Sequence, residues 1–539
     1  MYNEGRSSRL MPLLKIDNQE IEVKSGTTVL QAALKQGIEI PHYCYHPALE
    51  VVGSCRMCLV KVEGMPKLQV SCNTYIGETP EEIKIDGKFD MVVDTKDKIV
   101  VQEQKNILEF LLLNHPLDCP VCDQAGECYL QDYSFKYGNA HSRFDEDKRV
   151  RANVYLGSQV LINHNRCILC SRCVRFTREI SGTNELFVEQ RGYNSKIATV
   201  EDNPLDNYLA GNVTDICPVG ALLSTDYIHK NRIWNLNKQP SVCQDCSVGC
   251  NVDVFYQKDK IFRLSPRENH DVNGYFMCDI GRYGFHRYEE IDRITSPMLK
   301  SNGIFSEITW AEAITKIVDE VGLNDGNIAG IASPFHTNET NFLLGNLIKN
   351  VLGTLPKIVD EELQYPSGFR ISGDRSPNKQ GMQDVCPQLM ESFADKFKKE
   401  SIKMLYVLDD GIDRKLDKKW SNIFSEMNLI IVQTYAMTEI AKSGDLLLPG
   451  LAPFEREGTI TNDKKRVQWL RSSLPSQGES RPDWEILTTI LSELSEESPS
   501  FTDLSQVMKA MGESFTKYKD LSFFRIGMNG LSLNGAAKD

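Results

Sequence analysis

Fifteen of the sixteen cysteines lie between residues 44 and 278, and their spacing sorts them into four sets. Cys44, Cys55, Cys58 and Cys72 form the first. Cys119, Cys122 and Cys128 form the second, with His115 four residues upstream. Cys167, Cys170, Cys173 and Cys217 form the third, and Cys243, Cys246, Cys250 and Cys278 the fourth. An iron–sulfur cluster of the common kinds takes four protein ligands, mostly thiolates and in some centres imidazole. Three sets supply four cysteines and His115 completes the other, so the ligands close at four clusters. The chemistry implied is one-electron transfer. In a reducing compartment clustered C-x2-C pairs are metal ligands rather than disulfides, which leaves zinc ribbons as the rival metal reading.

Each set has its own local logic. In the second, Pro116 and Pro120 stop a helix and force extended turns, which aim side chains inward. A neutral imidazole in place of a thiolate lowers the negative charge of a cluster and raises its potential. The third set has one run, CILCSRC, plus a remote Cys217-Pro218, so its simplest closure is a single [4Fe–4S] cluster. Arg166, Arg172, Arg175 and Arg178 offer positive charge beside it, unless they are merely solvated. In the fourth set Gly249 would allow close backbone approach to a cluster.

The elements that must position these residues can be sketched from periodicity. Residues 13–24 alternate on either side of Asp17-Asn18, which predicts a hairpin with Leu14, Ile16, Ile21 and Val23 inward. Ser25 to Gln36 reads as a helix, with Leu30 and Leu34 one turn apart and Gly37 as the stop. Strands are expected at LVKVEG (59–64) and KLQV (67–70), and a helix from Lys98 to Asn114. Beyond Cys278, ITWAEAITKIVDEV, IAGIASPF, a helix-like NFLLGNLIKNVLGT and the strand MLYVLDD suggest alternating β and α elements.

Bulk properties narrow the class. A chain of 539 residues holds several domains. A formal net charge of −13 argues against a nucleic-acid binder. No apolar run approaches the roughly 20 residues of a membrane span, and the N-terminus lacks the apolar core of a signal peptide. The chain is therefore expected on the cytoplasmic side, reaching a membrane only through partners.

The hairpin–helix–cysteine-loop order of the first set resembles the [2Fe–2S] ferredoxins of β-grasp fold, although its first gap is C-x10-C rather than the plant-type C-x4-C. The H-x3-C-x2-C-x5-C pattern is shared by respiratory complex I, NAD-linked formate dehydrogenases and iron-iron hydrogenases. CVRFTREISGTNELFVEQRGYNSKI and NVTDICPVGALLS resemble the large iron–sulfur subunit of bacterial respiratory complex I, the NADH–quinone oxidoreductase. The fourth set, C-x2-C-x3-C-x27-C, resembles the [4Fe–4S] module that opens the molybdopterin oxidoreductases, and residues 428–470 resemble a later part of the same superfamily.

These resemblances imply a multidomain α+β chain. It comprises a β-grasp [2Fe–2S] ferredoxin domain (1–95), a His/Cys3-ligated [4Fe–4S] domain (96–150) and a ferredoxin-like [4Fe–4S] domain (151–238). A molybdopterin-oxidoreductase-type [4Fe–4S] module (239–295) and a degenerate α/β domain of that superfamily (296–539) follow. They imply an electron-relay subunit between a flavin subunit, which oxidises NADH with its own [2Fe–2S] partner, and a two-[4Fe–4S] ferredoxin-like subunit leading to the quinone module. In the family the path runs from the first set to the third and then the second, while the fourth lies aside. One [2Fe–2S] and three [4Fe–4S] clusters are expected, and no molybdopterin.

The rival is an active molybdenum or tungsten enzyme, such as the iron–sulfur/molybdopterin subunit of an NAD-linked formate dehydrogenase, or a hydrogenase-complex subunit. Only 261 residues follow Cys278, about half of that family's cofactor-embracing body. EELQYP follows the segment Leu352–Asp360, where a metal ligand is expected; Ser367 is poorly placed and Cys386 reads as an ordinary core or surface cysteine. Asp409-Asp410 after strand 404–408 would repel a pyrophosphate. No G-x-G-x-x-G, G-x4-G-K-[ST] or H-E-x-x-H is present, so no independent substrate site is expected on this chain.

Overall fold

The computed structural model describes residues 11–77, 84–200, 202–289, 291–323, 328–348, 351–354, 368–386, 402–413, 418–495 and 500–535. The chain divides into two compact units, residues 1–235 and 236–539. Among the described residues no helix is long and apolar enough to cross a membrane.

The first unit opens with the expected hairpin, β1 (Leu13–Ile16) and β2 (Gln19–Glu22), turned at Asp17 with φ +52°. Leu14, Ile16, Ile21 and Val23 are all buried. The following helix, α1 (Val29–Lys35), starts four residues later than its sequence pattern suggests. Thr28 accepts from the Gln31 amide while the Gln31 side chain accepts from the Thr28 amide, a capping box that sets the start. Its core face is Val29, Leu30, Ala32 and Ala33, whereas Leu34 is exposed. With β3 (Leu59–Val62), β4 (Gln69–Val70) and β5 (Met91–Asp94) these strands form a mixed sheet in the order β2-β1-β5-β3-β4, a β-grasp arrangement with β1 and β5 parallel.

Two helices follow, α2 (Lys98–Leu112) and α3 (Tyr129–Tyr137). A small sheet of β6 (Asn153–Tyr155), β7 (Val160–Asn163) and a later strand, Leu222–Ser224, brackets α4 (Arg172–Glu179). Thus both ends of the third cysteine set hang from one sheet: Cys167 lies just past β7 and Cys217 just before its antiparallel partner.

The second unit begins with an antiparallel three-stranded sheet of strands Asn237–Val242, Asn251–Gln257 and Lys260–Pro266. Its body is a seven-stranded sheet whose five parallel strands are, in spatial order, Val351–Thr354, Ile328–Ala332, Met404–Leu408, Leu429–Thr434 and Leu446–Pro449. The helix-like stretch 341–354 is split: its helix ends at Leu347 and residues 351–354 are the edge strand. Buried parallel strands are continuous apolar runs, which periodicity alone does not separate from buried helix. The spatial order reverses between Ile328–Ala332 and Met404–Leu408. In an open α/β sheet such a crevice is where ligands bind.

Candidate metal centres

The first set sits on the loop between α1 and β3 and on the turn after β4. Pairing of Leu59 with Val70 brings Cys58 and Cys72 to the same end of the β3–β4 pair. Cys44, Cys58 and Cys72 are buried, and Cys55 is half-buried. The Cys44 amide donates to Cys55 Sγ at 3.5 Å. Thiol hydrogen bonds from Cys55 and then Cys72 hold the Cys44 thiol well below its ordinary value, while the hydrogen bond to Cys44 and burial push Cys55 up. Four sulfurs close enough to share protons are a donor set that fits a thiolate-ligated cluster.

The second set follows α2. Pro116 breaks the helix, the His115 amide caps back to the Leu112 carbonyl at 3.2 Å, and a single 3-10 turn carries Cys119. Cys122 and Cys128 are buried and Cys119 is exposed. Burial, then the positive charges of Arg166 and Lys148, lowers the His115 pKa to about 4, so the imidazole is neutral and able to ligate. Arg166 also faces Cys122, and it holds Asp118 Oδ2 through Nε and Nη2 at 3.0 and 2.9 Å.

The third set lines a small cavity bounded by Cys167, Cys170, Cys173 and Cys217 and otherwise by apolar groups such as Ile162, Ile197 and Val219. The loop curls through two non-glycine residues in the left-handed region, Leu169 (φ +53°) and Ser171 (φ +61°). Such backbone is strained and persists where a site demands it. Here it turns consecutive thiols into one space, and the Leu169 amide points at Cys167 Sγ, 3.4 Å away. Burial pushes the Cys167, Cys170 and Cys217 thiols up to about 11. Metal binding at these sites must therefore release protons.

In the second unit Cys243, Cys246, Cys250 and Cys278 are all buried. The Gly281 amide donates to Cys278 Sγ at 3.4 Å. A Cβ on Gly281 would lie 2.7 Å from Cys243 Sγ, so this is the glycine that lets backbone approach the set. Gly249 serves differently: its φ of +61° favours a glycine, and its neighbours are Asn462 and Gln468. Asp245, buried beside Cys243, is paired with Arg287 and Arg375.

Among the described residues no three His, Cys, Asp or Glu groups converge as they would on one ion. A four-iron cluster asks for a wider set, because each ligand takes a different iron. Three features escaped sequence reasoning. Arg166, Arg172 and Arg175 are buried while Arg178 is exposed and paired with Glu179. Gly220 abuts the second set although it belongs to the loop of the third: a Cβ there would lie 2.2 Å from Cys122 Sγ. And one apolar core, built on Tyr43, Met57, Leu108, Leu130, Tyr133 and Val219, includes Cys128 and carries Cys55, Cys167, Cys170 and Cys217 on its edge.

Models of five families match the chain. They are the 2Fe-2S iron-sulfur cluster binding domain (residues 13–79) and the NADH-ubiquinone oxidoreductase-G iron-sulfur binding region (104–143); the ferredoxin-like domain of NADH-quinone oxidoreductase subunit 3 (157–223); and the molybdopterin oxidoreductase Fe4S4 domain (236–289) and molybdopterin oxidoreductase (376–493). An NADH-quinone oxidoreductase subunit of Rickettsia bellii is 38% identical over 341 residues, 63% of this chain and 48% of that protein. The chain resembles this subunit. The NADH-ubiquinone oxidoreductase 75 kDa subunit of Reclinomonas americana is also 38% identical, over 63% of this chain and 48% of its own length. This chain thus spans about half the length of these two relatives. A chain of an NAD+-reducing [NiFe]-hydrogenase, solved in the H2-reduced state, is 32% identical over 41% of this chain and 91% of its own, with a TM-score of 0.36.

Proposed function

We propose that this chain is the electron-relay subunit of a proton-translocating NADH:quinone oxidoreductase, passing electrons from a flavin subunit toward quinone. Cys44, Cys55, Cys58 and Cys72 would hold a [2Fe–2S] cluster. His115 with Cys119, Cys122 and Cys128, the Cys167 set and the Cys243 set would each hold a [4Fe–4S] cluster. When bound, such clusters supply one-electron carriers. The chain supplies spacing and tuning, with no substrate site of its own.

The observation that carries this reading is the meeting of three ligand sets at one apolar core. Adjacency within the first unit supports the order first, third, second. Arg172 and Arg175, on the helix of the third set, bind the Tyr45 and Cys44 carbonyls in the loop of the first. Gly220, in the loop of the third, abuts Cys122 of the second. An exposed Cys119 at the end of this sequence supports electron exit to a ferredoxin-like subunit. The other partners would be the flavin subunit with its [2Fe–2S] companion and the quinone-module subunits, in the peripheral arm on the cytoplasmic face of the bacterial inner membrane.

We leave molybdopterin out of this reading, and the described loops at the sheet's switch point support that. His336 bonds the Asp409 carbonyl across it at 3.0 Å, and Thr434 and Thr438 donate to Asp409 Oδ2, each at 2.9 Å. Metal analysis of the purified full chain tests the proposal: iron and acid-labile sulfide in near-equal amounts without molybdenum or tungsten are expected. Stoichiometric molybdenum, or zinc in place of iron, would overturn it.

A further inference from the structure

Arg175 is the largest fully buried side chain among the described residues, 2% exposed, and it lies between two ligand sets. Its guanidinium donates to the Cys44 and Glu50 carbonyls of the first loop and to the Cys170 carbonyl of the third, the last at 3.4 Å, while Nε reaches Ser171 Oγ at 3.3 Å. These acceptors are neutral. The nearby carboxylate of Glu179 is engaged by Arg178 and by the Glu50 amide. A cation buried against carbonyl dipoles loses hydration that neutral acceptors only partly replace, unless further negative charge faces it. Thiolate-ligated clusters on both sides would provide that charge, and reduction would increase it.

Resting on the relay reading above, we propose that Arg175 is a positioning residue shared by the first and third sets. It fixes the Cys44 loop against the Cys170 loop and lends one positive charge to both clusters, so that their reduction potentials rise together. The planar fork suits Arg, since several carbonyls in different directions are bound at once. Arg172 adds a second tie, from Nη1 to the Ile216 carbonyl at 2.9 Å and from Nη2 to Tyr45.

The test is a redox titration of the full, cluster-loaded chain followed by electron paramagnetic resonance. Wild type is compared with Arg175→Gln, Arg175→Lys and, as an exposed control, Arg178→Gln. In Arg175→Gln both the [2Fe–2S] and the third-set signals should become harder to reduce, each by at least tenfold in the reduced-to-oxidised ratio, about 59 mV for one electron. Arg175→Lys keeps the charge and should stay within twofold, as should Arg178→Gln. A shift of only one cluster, no shift, or equal shifts in the Gln and Lys variants would overturn the proposal. If Arg175→Gln fails to load, Arg175→Lys decides, since loading with both potentials fallen overturns it and loading with both retained supports it. A wild-type chain that takes up no iron–sulfur cluster would instead overturn the relay reading, and this proposal with it.

Discussion

Gly220→Ala separates the fold from the site. Gly220 does not lie in the left-handed region, so alanine meets no backbone strain there and only space matters. The added Cβ would sit 2.2 Å from Cys122 Sγ and 3.0 Å from Gln124 Cβ, where ordinary contact begins at 3.4 Å. The sulfur must retreat by about an ångström. Overpacking of this kind costs roughly 1–3 kcal/mol, which a domain stable by about 5–15 kcal/mol survives. A ligand position tolerates only about 0.2 Å. The variant should therefore fold with normal circular dichroism yet lose one cluster's iron, and with it the resonance signal assigned to the His115 set. The third-set signal should persist. Gly77→Ala, where nothing lies within 4 Å, is the control. Full iron and an unchanged signal in Gly220→Ala would refute the placement of Cys122 as a ligand.

Three further outcomes follow from the same structure. His115→Cys should keep its cluster but lower its potential, because a thiolate replaces a neutral imidazole; identical spectra and potential would show that His115 is not a ligand. Cys386 is fully buried and donates from Sγ to the Asn341 carbonyl at 2.9 Å, so Cys386→Ala should leave iron content untouched and cost about 1 kcal/mol in denaturant unfolding. Asp483 is pushed up by burial but held at about 2 by Arg456 and His336, below its ordinary 3.8. Its contribution, on the order of 2 kcal/mol, is present above pH 4 and lost as pH falls toward 2. Asp483→Asn should flatten that part of the stability–pH curve, and an unaltered slope would contradict the pairing.

Much of this arrangement was legible in residue order. The hairpin announced itself by alternation around Asp17-Asn18, and all four inward residues are buried. Spacing alone also grouped Cys167, Cys170, Cys173 and Cys217, which line one cavity. What spacing could not show was anything set by contact across the chain. Arg175 and Arg178 look alike three residues apart, yet one is buried beside the first set's loop and the other is exposed, because the helix turns about 300° between them. Gly220 reads as part of a remote C-P turn, and its closeness to Cys122 depends on how two loops cross. The start of α1 lies at Val29 because Thr28 caps it. The edge strand 351–354 was hidden because a short apolar run carries no period that marks it as β.

The relay reading requires neighbouring clusters in the first and third sets. Low-temperature resonance of the reduced full chain tests it most directly, with Cys58→Ser and Cys173→Ser variants assigning the two signals. Both signals should appear, and each should relax faster in the wild type than in the variant lacking the other, as magnetically coupled neighbours do. Two signals with independent relaxation, or a reduced chain with no paramagnetic signal, would contradict it.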